Sequence, residues 1–166
     1  MPERPAPRSG VAPSPFPSPS HIQSYLSFDF GTRRVGVATG NSLMRLAQPL
    51  KTLSAEGDAR FVAIAQLISQ WQPSALVVGV PFHPDGAAHD NTRRAQRFAR
   101  QLHGRFRLPV HEVDERYTTT EALADGAADA DAAAAALILE QFLRSAAVAD
   151  STPLSPAMQD PTHAAA

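Results

Sequence analysis

At 166 residues the chain has room for one domain and not for two of ordinary size. Apolar residues make up 43%, enough for a core, and a net charge of −1 does not by itself announce a nucleic-acid binder. No cysteine is present, which excludes disulfides and cysteine-ligated zinc, and no apolar run approaches the roughly 18–20 residues that span a bilayer.

Residues 1–22 are rich in Pro, Ser and Ala and lack periodicity, and residues 147–166 have the same character. Neither stretch can bury enough apolar surface to offset its ordering entropy, so both read as disordered tails around a folded domain at 23–146. Prolines interrupt any signal-peptide core near the start, which leaves a cytoplasmic location as the expectation. Within the domain, Tyr25–Phe30 and Arg34–Thr39 read as strands joined through Gly31–Arg33, and Ala47–Leu53 as a third. Asp58 can cap a helix whose apolar positions Phe61, Ile64, Ala65, Ile68 and Trp71 recur at 3.6-residue spacing, with Pro73 ending it. Ala75–Val80 is continuously apolar, as a buried parallel strand would be. A helix over Asn91–His103 stops at Gly104, a strand follows at Leu108–Val113, and a last helix runs from Asp131 to Arg144. This order argues an α/β domain with a mixed sheet.

Three acidic positions stand out. Asp29 ends a strand on which Leu26 and Phe28 point one way and Ser27 and Asp29 the other; it either serves a metal or phosphate site or caps the following turn. Asp114 and Glu115 end another strand, and only one of them can enter a shared site. Asp131 opens the last helix, where the macrodipole favours an acid in any case, and the alanine run after it allows close packing on the sheet. Together Asp29, Glu115 and Asp131 could hold one or two Mg2+ ions through oxygen ligands. On the helix at 91–103, Arg93, Arg97 and Arg100 share a narrow sector with Arg94 at its margin. Ala95, Phe98, Ala99 and Leu102 lie opposite. Such a stripe tracks phosphates or is simply a solvated face.

Taken in order, FDFGTRRVGVA, AQPL, VVGVPFHPDG, RFARQL, VDERYTT and DAAAAALILEQFL resemble the YqgF/RuvX family of pre-16S rRNA nuclease and Holliday junction resolvase-like proteins. The strings cover about residues 25–143. The resemblance implies an RNase H-like fold, a mixed five-stranded sheet flanked by helices, and a nuclease using Mg2+ or Mn2+. It assigns the catalytic, metal-holding carboxylates to Asp29, Glu115 and Asp131 and places Gly79, Pro81 and Gly86 in a loop beside the site; the residues themselves add Gly31 at the turn and Arg93, Arg97, Arg100 and Arg116 for substrate. The implied substrate is structured precursor rRNA, with branched DNA second and a non-catalytic RNA-binding role third. One departure is a short ADGAADA segment before Asp131, with Asp129 where relatives carry a basic residue. The D-F-G-T string also resembles the phosphate hairpin of sugar-kinase and actin-like ATPases, which require a far longer chain.

Overall fold

The period-two pattern of β1 decides which helix meets which side of the sheet. The computed structural model describes residues 22–115 and 129–151, the last five through backbone alone. Of the tails read at 1–22 and 147–166, residues 1–21 and 152–166 lie outside the described residues, as do Arg116 and most of the short segment before Asp131, whereas 147–151 continue the last helix and correct that boundary. β1 (Ser24–Phe30), β2 (Val35–Asn41) and β3 (Ala47–Leu53) form an antiparallel meander. β4 (Ala75–Val80) and β5 (Val110–Asp114) add parallel to β1, giving the order β3-β2-β1-β4-β5. β4 is buried throughout, as its unbroken apolar run requires.

Leu26, Phe28, Val35, Val37, Leu76 and Val78 face one layer, formed by α1 (Asp58–Trp71) and α2 (Asp90–Phe106). Tyr25, Val77 and Val113 face the other, formed by α3 (Ala130–Ser151). The second interface is unusually tight. β2 presents Gly36, Ala38 and Gly40 on that face, and Ala135 and Ala136 of α3 pack against Ala38. Small side chains on both partners let helix and sheet approach closely, and Ser27 inside this interface donates its hydroxyl to the Ala135 carbonyl at 2.8 Å. Among the described residues no helix is long and apolar enough to cross a membrane.

Several local expectations are corrected. Asp58 is the first helical residue and not the cap; Gly57 occupies that position without a side-chain bond. In α1 the buried set is Arg60, Phe61, Ile64 and Leu67, whereas Ala65 and Trp71 are exposed. Arg60 can occupy the buried stripe because its guanidinium finds two backbone carbonyls, those of Ala55 and Thr32, each at 3.1 Å. Gly104 does not stop α2. The helix continues to Phe106, and Arg107 takes the left-handed capping conformation at φ 57°, its N–H donating to the His103 carbonyl. Helix α3 runs seven residues beyond Arg144.

Candidate active site

Asp29 sits near the carboxyl end of β1, with Gly36 of β2 and Gly79 of β4 as its two cross-strand neighbours. Cross-strand partners project from the same face, so Asp29 is flanked on the α3 side by two positions without side chains. Each vacancy is filled by one of the other expected acids. A Cβ on Gly79 would collide with Glu115 Oε1 and with Ile138 Cδ1, so the glycine makes room for the Glu115 carboxyl beside Asp29. A Cβ on Gly36 would collide with the Asp131 carbonyl, so that glycine lets the first turn of α3 rest on β2. The parity of β5 explains the choice between neighbours. Val113 faces α3 and Glu115, two residues on, follows it, while Asp114 is paired with Val80 on the α1–α2 side.

The Asp29 and Glu115 carboxyls lie close enough to interact directly. Burial pushes Glu115 up to about 8, helped by the adjacent carboxyl of Asp29 and by Asp114. Asp29 is also raised, by burial first and by Asp131, against the lowering effect of Glu115 beside it. Burial and mutual repulsion therefore favour protonation of the pair relative to free carboxyls. One carboxyl oxygen, Glu115 Oε1, is buried with no hydrogen-bond partner. Asp131 stands off from this pair. Its Oδ2 is bound by Arg34 Nε at 3.1 Å, with Arg34 mostly exposed. Among the described residues, no three Asp, Glu or His side chains converge closely enough to grip one ion as they stand. Asp129 turns elsewhere, accepting a hydrogen bond from Thr52.

The surrounding loops are held by bonds that sequence reading did not foresee. Gly31 permits the β1–β2 turn, since a Cβ there would lie 2.6 Å from the Arg34 carbonyl. Arg60 ties the Thr32 carbonyl of that turn to α1. Past β4, the Pro81 carbonyl accepts from the buried Thr92 hydroxyl, which itself accepts from the His89 N–H at 3.0 Å. Gly86, at φ 91°, allows its N–H to reach the His83 carbonyl at 2.8 Å. The arginine stripe is not part of this site. It lies on α2, across the sheet from α3, and its members diverge: Arg93 bonds Asp90 at 3.3 Å, Arg97 lines a cleft with Arg94, and Arg100 lines a groove along β5. Gly36 and Arg34 were missed, although the alternation of valine with glycine and alanine in RVGVATG is the signal of a strand built for a close helix.

The family model described as "RuvX: Holliday junction resolvase" matches residues 23–145. The chain belongs to the RuvX family. It is 62% identical over 153 residues to a protein of Albidiferax ferrireducens, a match covering 87% of this chain and 98% of that one. It is 68% identical over 124 residues to one from a Polaromonas species, covering 75% and 90%. Both relatives carry the name "Putative pre-16S rRNA nuclease". Among solved structures, RuvC of Thermus thermophilus superposes with a TM-score of 0.50 at 12% identity, covering 75% of this RuvX chain and 96% of RuvC. That likeness is one of fold, the RNase H-like mixed sheet.

Proposed function

We propose that this RuvX protein is a divalent-metal-dependent endonuclease that cuts at the carboxyl end of β1, and that its task is 5′-end maturation of the small-subunit rRNA precursor. Family membership makes it a nuclease, a hydrolase of phosphodiester bonds. The observation that carries the metal reading is the buried Asp29–Glu115 contact with its unpartnered Oε1. Two buried carboxyls side by side, one with an oxygen unsatisfied, are an oxygen-donor set suited to Mg2+ or Mn2+. Asp29 and Glu115 would hold the ion, and Asp131 would join from α3 when Arg34 releases it. When bound, the metal supplies an activated water and neutralises charge on the scissile phosphate.

The chain's own residues do the rest. Asp29 and Glu115 gather negative charge at one point, and the glycines on either side of Asp29 keep that point open to the first turn of α3. Arg34, already at the rim and mostly exposed, can turn its guanidinium to a phosphodiester as it releases Asp131. The rRNA assignment rests on the names of close relatives, and it carries a cytoplasmic location with it. The family model's description favours a second reading, branched DNA. The purified protein, given a precursor rRNA fragment and a four-way DNA junction with Mg2+ or with chelator, is expected to cut the RNA near its mature 5′ end in a metal-dependent way. Preferential cutting of the junction would transfer the assignment to DNA, and cutting of neither would overturn the nuclease reading.

A further inference from the structure

Across the sheet from the carboxylates, a cleft of about 250 Å3 opens between α1 and α2. Phe30, Phe61 and Phe98 form its apolar floor, and Arg60, Arg94 and Arg97 bring three positive charges to it. Phe98 packs against the other two rings, with centroids at 5.1 and 6.0 Å, so the floor is rigid core and not a loose flap. Arg60 is buried, held by the Ala55 and Thr32 carbonyls, with its guanidinium 5.6 Å from the Phe30 ring centroid.

The charges are unbalanced. Two other arginines of α2 are ion-paired, Arg93 with Asp90 and Arg105 with Asp58, each at 3.3 Å, while Arg100, outside the cleft, is not. Arg94 and Arg97 have no carboxylate partner among the described residues. Glu56 acts on Arg60 from a distance but does not line the cleft. Arg94 and Arg97 are exposed, so water screens their repulsion, and three positive charges around an apolar floor still make the cleft attractive to an anion. The place is also informative, because Phe30 directly follows Asp29 in β1 and points to the opposite face. Cleft and carboxylates are therefore back to back across a single strand.

We propose that this cleft is a second nucleic-acid contact, which holds a backbone phosphate of an unpaired nucleotide near the scissile bond while its ribose or base rests on Phe30. This deepens the nuclease reading and depends on it only for the strand that reaches both faces. An unpaired strand fits because the cleft is too small for a duplex, and guanidinium groups above an apolar ring surface suit phosphate with base or sugar.

The test compares two double variants with equal loss of charge, Arg94→Gln/Arg97→Gln in the cleft and Arg45→Gln/Arg144→Gln on exposed sites elsewhere. Affinity for a short single-stranded RNA is titrated with chelator present, over a range of salt. The cleft variant should bind about tenfold more weakly, and its log–log salt slope should flatten by about 1.4, at about 0.7 per lost single-strand contact. The control pair should stay within about twofold of wild type, and both variants should melt like it. An unchanged affinity in the cleft variant, or an equal loss in both, would overturn the proposal. The nuclease reading fails separately, if Asp29→Asn retains cleavage whatever the cleft variant does.

Discussion

Beside Asp29, one added methyl group has different consequences on its two sides. Gly36→Ala drives a Cβ into the backbone of Asp131 and Ala132, which can yield only if α3 moves. Its cost should reach or pass the top of the about 1–3 kcal/mol range for overpacked cores. Gly79→Ala meets side-chain atoms of Glu115 and Ile138, which can rotate away. Thermal melts should show it as the milder lesion, yet divalent-metal affinity should fall in both variants, because each displaces an acid from Asp29. Equal melts with unchanged metal affinity would remove the glycines from the site. The raised carboxyls make a second residue-scale prediction. Glu115 moves from an ordinary 4.5 to about 8, so the folded state binds a proton that the unfolded chain has lost between those values. Stability from this group is full below about pH 4.5 and is lost as pH rises through 8. With chelator, the melting temperature should decline across that window. Mg2+ should reverse the trend, since deprotonated carboxyls are its ligands. A profile that ignores Mg2+ would contradict a metal at this pair.

Among the elements, α3 is the one whose seat matters most to the site, because it carries Asp131 and rests on a strand of glycine and alanine. Ala135 is fully buried against Ala38, and its carbonyl receives the Ser27 hydroxyl. Ala135→Leu should lift the helix from β2 at a cost of about 1–3 kcal/mol and reduce turnover beyond what the melt explains, as Asp131 moves outward. Turnover equal to wild type would show that the position of α3 does not govern catalysis. The strands were readable here because alternation and unbroken apolar runs report faces directly: β3 lies at Ala47–Leu53 and β4 at Ala75–Val80, both as read. Helix ends were less so. Gly104 looked like a stop, but helix packing through Leu102 and Phe106 outweighs the weak propensity of one glycine. The buried Arg60 was invisible because its partners are backbone carbonyls, which leave no mark in the composition.

At the scale of the molecule, the topology gathers what the sequence scatters. Asp29, Glu115 and Asp131 are far apart in the chain, yet β1, β5 and α3 deliver them to one end of the sheet. Carboxyl-end position marked Asp29 and the Asp114–Glu115 pair, and the family resemblance singled out Glu115, while the engagement of Asp131 by Arg34 was not legible, since it depends on where a turn and a helix meet. The fragment 22–151 contains every described element and spans the family match. It should melt within a few degrees of the full chain, and a larger fall would place stabilising contacts in the flanking segments. The most direct test of the central claim is Mg2+-dependent cleavage of a precursor rRNA fragment by Glu115→Gln, measured beside wild type. Glutamine can still hydrogen-bond Asp29 but cannot give up a proton to become an anionic ligand. A folded protein is expected, with cleavage lower by orders of magnitude and not restored by saturating Mg2+. Wild-type turnover in that variant, with unchanged metal dependence, would contradict that claim.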